Sequence, residues 1–506
     1  MDRRTLLKGL GALGMAGAAL PQAAFAATKT VTGLPFAEPT ALTAVNGVLN
    51  FSTSVEYGRN KLYGNKVRLR GFDGQLTGKT LRVKAGERLH FNMLNVLPKG
   101  TGTTKSTVEK EAGTTTVAAM QSGHVHSNAA FNTTNLHVHG LHVSPKQPSD
   151  YVLMKIEPGD YFQYKYEIPA DHPPGTYFYH PHYHGAVGVQ VGSGMAGALI
   201  IEGEIDHIPE IAQAAEKIMV LQTLAFDSKG ELESNDKLGG FPFTVNGLLS
   251  PVLSMRPGEV QRWRMVNASI EDSITLALSP LDSNAKQPIT VLCLDGNPLT
   301  KAIPVTDLAL ASGNRADVLV KAPAKAGTYE LRYLKTAKDG TQQTQIVLTV
   351  RVAGPAKDMP LFSGPLPSVP ILKPIAESEI TNKRTLVYGY DGNLFTVNGV
   401  TFGADQPQQN VTLGAVEEWT VTDTTGFPHS FHIHVNPFQV VSSPAQQVIE
   451  AGQWMDTLEV PRNGSITFRT RFVDFDGTFV LHCHYLPHED GGLMQIVNVN
   501  KSVVAK

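Results

Sequence analysis

The chain is poor in several residue types, and each shortage narrows what it can be. Only two of its 506 residues are cysteines, Cys293 and Cys483. One disulfide is the most it can form, so a disulfide-stapled scaffold is excluded. Basic residues number 43 against 45 acidic, with no basic patch, which excludes a nucleic-acid surface. Long apolar runs are missing too. The longest, at 10–20, is too short to span a bilayer. Sustained helical periodicity is also scarce, whereas short alternating runs such as "KTLRVKAGERLHFNMLN" and "SITFRTRFV" recur between Gly, Pro and Asn turns. That pattern predicts an all-β chain of sandwiches or barrels.

The first residues, "MDRRTLLKGLGALGMAGAALPQAAFAA", pair Arg3 and Arg4 ahead of a short Gly-rich apolar run and end in a small-x-small site at Ala24-Phe25-Ala26. They resemble a twin-arginine signal over 1–26. The expectation is export of the folded protein by the twin-arginine machinery to the bacterial periplasm or beyond. Cleavage after Ala26 would leave 40 basic and 44 acidic residues, net −4, and no membrane span.

Internal similarity organises the rest. A Gly-led segment recurs from Asp73, Asn246 and Asn398, and its lead-in "FTVNG" is identical at 243–247 and 395–399. A second element recurs as "GTYFYHPH" from Gly175, "GTYELRYL" from Gly327 and "GTFVLHCH" from Gly477. Three related domains are therefore expected at 40–205, 206–355 and 375–506, with a Pro-rich linker at 356–374. Aligning the repeats sorts the histidines. Five residues past the glycine stand His180, Arg332 and His482; seven past stand His182, Leu334 and His484. Trp263 and Trp419 match, but Ser273, Leu276 and Leu278 stand where the third copy has His429, His432 and His434. The middle copy keeps the fold and lacks the histidines, as a spacer would.

Ten of the 17 histidines lie in four clusters, "HVHG", "HPH", "HSFHIH" and "HCHYLPH". Residues i and i+2 of a strand share a face, so each HxH presents two imidazoles together. The pairs His137/His139, His180/His182, His432/His434 and His482/His484 offer eight imidazoles to a cluster of metal ions between the first and third domains. Cys483 must then face the other way, towards a second metal, with His429 and His488 left to join it. Two imidazoles and a thiolate form the His₂Cys set of a blue-copper electron-transfer site. Cys293, in the apolar run "ITVLCLDGNPL", reads as a buried core thiol.

These motifs resemble those of the multicopper oxidases, and the three-part layout is similar to the laccase type, over essentially the whole mature chain. The resemblance implies three cupredoxin-like Greek-key domains and four coppers: one type 1, one type 2 and a type 3 pair. It implies that His137 and His432 hold the type 2 copper. His139, His180, His182, His434, His482 and His484 would hold the type 3 pair, and His429, Cys483 and His488 the type 1 copper. Leu493, ten residues past the cysteine, would sit on the type 1 axis, and Met494 would point to the opposite side. The activity implied is one-electron oxidation of a reductant coupled to reduction of O₂ to water, with Asp150 and Glu489 relaying protons. Phenols or aromatic amines are the implied reductants. The 12 methionines are scattered, unlike the Met-rich segments that suit Cu(I), although a cuprous or other metal-ion oxidase remains open. Two other classes are a copper-free cell-envelope protein of the same fold and a copper nitrite reductase. The complete histidine set weighs against both. His124 and His126 lie in a Thr-rich insertion at 96–134, which reads as a surface loop. His142 and His184 read as neighbours of the ligands.

Overall fold

The computed structural model describes residues 33–99, 130–235, 238–336, 342–403 and 408–501. The expected signal and the pair His124/His126 lie outside the described residues.

Among the described residues strands dominate, in six sheets that fall two to each repeat. The first repeat stacks a five-stranded sheet, carrying Gly175–His180 and His137–His139, on a four-stranded one built around Val48–Leu62. The second has sheets of seven and five strands. The third has six and five, with Gly477–Cys483 paired between Met494–Asn500 and His429–Ile433. Separate apolar cores fill the three sandwiches, built on Phe51, Phe91 and Tyr179, on Trp263, and on Trp419. Cys293 lies fully buried in the second core as a free thiol, in agreement with its apolar strand.

The repeat seen in the sequence recurs atom by atom. Asp73, Asn246 and Asn398 each adopt φ near +53° (52°, 54° and 53°), and each is followed by a positive-φ glycine. Each side-chain oxygen accepts one backbone N–H, from Ser54, Val220 and Val387 at 3.0, 2.8 and 2.8 Å. Short polar side chains tolerate this left-handed turn because they bond their own neighbourhood. The two tryptophans also agree. Trp263 donates to Gln261 and Trp419 to Glu417, each two residues back on its strand.

Among the described residues the helices are few and short. Val187–Gly192 is buried on every side, so it has no polar face to register as helical periodicity. Leu486–Asp490 interrupts what reads as an extended tail, with Pro487 in its first turn, where a missing N–H costs nothing.

Strand alternation sets the site. Val138 and Tyr179 enter the first core, leaving His137, His139 and His180 on the other face. Phe431, Leu481 and Cys483 enter the third core, leaving His432 and His482 facing out. The two histidine faces meet.

Candidate metal centres

Eight buried imidazoles converge between the first and third sandwiches, none more than 2% exposed. Rings from opposite sandwiches stack face to face: His137 on His434 at 3.7 Å between centroids and His139 on His432 at 3.8 Å. His182 meets His482 edge-on at 4.7 Å, and His180 meets His484 at 5.3 Å. Burial and mutual repulsion hold His137, His139, His434, His482 and His484 well below the ordinary imidazole range. His180 and His182 are pushed down to about 3, again chiefly by burial. These seven rings are therefore held neutral, as metal ligands must be.

Apart from His434, whose outward Nδ1 has no partner, the rings have their outward nitrogens facing polar neighbours. Nδ1 of His137 donates to Asp150 Oδ2 (2.8 Å), Nδ1 of His180 to the Pro181 carbonyl (2.9 Å) and Nδ1 of His432 to the Asp456 carbonyl (2.9 Å). His484 Nδ1 lies 3.2 Å from Ser312 Oγ, whose own proton goes to the Ser269 carbonyl. His139 is reversed: its Nε2 faces Thr457 Oγ1 (3.1 Å) and Asp456 Oδ1 (3.3 Å). The inward nitrogens left without a partner are Nε2 of His137, His180, His432 and His484 and Nδ1 of His139. Each is buried, each carries its lone pair inward, and none has a hydrogen-bond partner. Nε2 atoms of His182 and His434 crowd His482 Nε2 at 3.1 and 3.3 Å, although three neutral acceptors have nothing to share. A buried orphan acceptor costs roughly 1–3 kcal/mol. Cations at the focus remove that cost, and this donor set fits copper.

A second trio lies in the third core. His429 Nδ1, His488 Nδ1 and Cys483 Sγ form a triangle with sides of 3.1, 3.5 and 3.8 Å. The point equidistant from its corners is about 2 Å from each, the reach of a metal–imidazole bond. Burial pushes the Cys483 thiol up to about 12, so the thiolate needs a cation to form. The Leu486–Asp490 helix brings His488 back to the cysteine. Leu493 is fully buried in the same core as Cys483, and its carbonyl accepts the Cys483 N–H (3.0 Å). Met494 instead pairs with His482 and packs with Val152, Phe402 and Val480 on the opposite face.

Both acids lie at the histidines. Asp150 grips His137 and the Val138 N–H, and burial pushes it up to about 8. Glu489 Oε2 lies 3.0 Å from His482 Nδ1, and Oε1 lies 3.5 Å from His182 Nδ1. Neither oxygen accepts a well-aligned hydrogen bond, and burial pushes this carboxyl up to about 7 against the pull of His182.

Other residues escape sequence reasoning. Asp423 Oδ1 lies 3.2 Å from His429 Nε2, and Thr425 Oγ1 lies 2.7 Å from the same nitrogen. Although burial opposes it, bonds from His429, Thr425 and the Asn463 N–H hold Asp423 below the usual carboxylate range. Asp490 accepts from the N–H groups of Gly185 (2.7 Å) and Gly188 (2.9 Å), tying the third sandwich to the first. His142 bonds the Val435 carbonyl (2.8 Å) and Asp474 (2.9 Å), and His184 packs on Phe402, so neither joins a histidine cluster.

Multicopper oxidase family models match residues 124–205, 208–353 and 368–503. A multicopper oxidase of Staphylococcus haemolyticus is 24% identical over 465 residues, covering 90% of this chain and 89% of its own. A laccase-like multicopper oxidase from an Ochrobactrum species superposes with a TM-score of 0.73 at 21% identity, covering 92% of this chain and 100% of its own. The multicopper oxidase of Campylobacter jejuni, described as a metallo-oxidase, gives 0.70 at 22% identity, covering 94% and 99%.

Proposed function

Because this chain belongs to the multicopper oxidases, copper-containing oxidoreductases with O₂ as acceptor, we propose that it oxidises small aromatic donors by one-electron steps at the His429–Cys483–His488 trio. The convergence of orphan imidazole nitrogens between two cupredoxin-like domains carries the reading. His137 and His432 would hold the type 2 copper. His182, His434 and His482 would hold one type 3 copper, and His139, His180 and His484 the other. When bound, copper supplies the one-electron redox chemistry and the site of O₂ reduction.

The chain's own residues do the remainder. Cys483 is bonded through the backbone to His482 and His484, so one strand joins the electron-entry site to the cluster. The third core keeps water from the thiolate. Asp150 and Glu489, both buried against cluster histidines, hold protons for the oxygen atoms reduced there. Export through the twin-arginine route, to a periplasmic or external address, rests on the Arg3–Arg4 motif alone. Among the described residues no helix is long and apolar enough to cross a membrane.

The donor class rests on what surrounds His488. Phe395 packs on its ring at 4.3 Å and Phe427 at 6.5 Å, with Tyr390 against Phe395 at 5.1 Å. All three are half-buried and present aromatic surface beside the entry ligand. A flat phenol or aromatic amine stacks there. Phe395→Ala is expected to raise KM for aromatic donors about fivefold, a loss of roughly 1 kcal/mol. Turnover of Cu(I), Fe(II) or Mn(II) should not move. Steady-state O₂ uptake on both donor classes makes the test; preference for metal ions, unaltered in the variant, would overturn the assignment.

His429, Cys483 and His488 would hold the type 1 copper, and Leu493, buried in the same core, would offer it no thioether to stabilise Cu(II), so its potential would be raised. Leu493→Met should lower the midpoint by about 60 mV for each tenfold gain in Cu(II) affinity. Redox titration of the blue absorption reads this, and an equal or higher midpoint would refute the axial placement.

A further inference from the structure

The repeat that contributes no histidine to the cluster nevertheless reaches it. Its loop 311–314, leading into the strand Arg315–Lys321, lies against imidazoles from both neighbouring repeats. Gly313 has φ +93°, and a Cβ there would come within 3.0 Å of the His484 ring and 3.1 Å of His139 Cε1. Ser312 Oγ is placed to accept from His484 Nδ1. Next in the chain, Arg315 is fully buried. Its Nη1 and Nη2 donate to both oxygens of Asp456 at 2.7 and 2.5 Å, in the planar two-bond geometry that lysine cannot reproduce. Nη1 also donates to the Gly313 carbonyl at 2.9 Å.

Asp456 is the pivot. Its Oδ1 lies 3.3 Å from His139 Nε2 and 3.5 Å from His432 Nδ1, and accepts from Thr457 Oγ1 at 2.8 Å. His139, His432 and Asp456 thus have three potential metal donors close together. Yet these are the outward nitrogens, and the carboxylate is already held by Arg315. The inward nitrogens, His139 Nδ1 and His432 Nε2, are the orphans. So Asp456 sets which nitrogen of each ring keeps its proton, through its carboxylate for His139 of the first repeat and through its backbone carbonyl, at 2.9 Å, for His432 of the third. Asp295 and Asn314 brace it from the middle repeat. Asp295 Oδ2 accepts from the Thr457 N–H at 3.1 Å, and Asn314 Nδ2 donates to the Thr457 carbonyl at 2.8 Å.

We propose that Arg315 of the middle domain is a positioning residue for the trinuclear cluster, acting through Asp456 to orient His139 and His432. The middle domain thereby completes the outer shell of a centre to which it gives no ligand. Loss of such outer partners weakens metal binding by about 10–100-fold. This inference rests on the ligand assignment proposed above.

The test uses the full-length copper-loaded enzyme and reads copper content and EPR rather than turnover alone. Arg315→Met is expected to lose cluster copper to a chelator about 10–100-fold more readily than wild type while keeping the type 1 blue absorption. Arg315→Lys keeps the charge without the two-bond geometry, so it should retain all its copper with an altered type 2 hyperfine splitting. It remains informative if Arg315→Met does not fold. Arg262→Met is the structural control. Arg262 is also buried and bonds both oxygens of Asp317, but it has no bond to a cluster histidine. It should lower the melting temperature and leave the EPR signals unchanged. An Arg315→Lys enzyme with wild-type type 2 EPR and copper retention would overturn the inference, as would type 2 changes of equal size in Arg262→Met. His432→Ala keeps the two readings apart. Type 2 copper lost there but undisturbed by Arg315 variants refutes the positioning role alone, whereas type 2 copper kept there refutes the ligand assignment.

Discussion

Cys483→Ser yields a colourless enzyme that has lost one copper of the four standard for the family and no longer oxidises any donor above background. The cause lies in the thiolate. Cys483 Sγ is 3.5 and 3.8 Å from the two Nδ1 atoms, and sulfur is the only soft donor of the trio. Serine offers a hard oxygen that stays protonated, so neither the blue charge-transfer band nor tight copper binding survives. His482 and His484 point to the other face of the strand, so the cluster copper should remain and keep its EPR signal. Burying a hydroxyl in this core costs about 1–3 kcal/mol, within the reach of a large three-domain chain. Copper analysis, absorption and O₂ uptake on one preparation check it; persistent colour or turnover would remove Cys483 from the entry site.

Glu489→Gln acts on the opposite half of the reaction. O₂ uptake should fall about 10²-fold or more, the usual contribution of a placed proton donor. Copper content and anaerobic reduction of the blue band should not change, because the trio and its donor surface are untouched. The side chain is fully buried with its oxygens 3.0 and 3.5 Å from His482 and His182. A carboxyl pushed up to about 7 can hold a proton near neutral pH and give it up. Glutamine fills the same volume and cannot exchange one. Stopped-flow measurement of the reduction and reoxidation phases separates the two halves. Reoxidation at the wild-type rate would sink the proposal for Glu489. Asp150→Asn should move in the same direction.

Much of this was legible because strand alternation converts spacing into direction. "HCH" alone places Cys483 behind His482 and His484, and "GGLMQIV" places Leu493 and Met494 on opposite faces, as their two different apolar clusters bear out. The return of His488 was less legible. In extended chain it would lie roughly 16 Å from Cys483, and only the turn of Leu486–Asp490 brings it within 3.8 Å of the sulfur. Pro487 was the available signal. The outer partners were not legible in any motif. Asp423 precedes His429 by six residues, and Arg315 stands 176 residues from His139. The Asp423 contact forms inside the third sandwich, between two of its own strands, whereas those of Arg315 exist only once the sandwiches have docked. One trace was present: "GNRADVLVKA" sets Arg315 and Asp317 in an otherwise apolar strand. Charges in a buried strand require partners: Arg315 finds Asp456 across the interface with the third repeat, and Asp317 finds Arg262 and Arg264 on the neighbouring strand of its own repeat.

The central claim is that two separate copper centres share the strand Gly477–Cys483. Copper quantitation with absorption and EPR on the purified enzyme tests it most directly. The account predicts about four coppers per chain, an intense blue band with the narrow type 1 hyperfine splitting, and a second EPR signal of type 2 character. One copper per chain, or no blue band after full reconstitution, would contradict it.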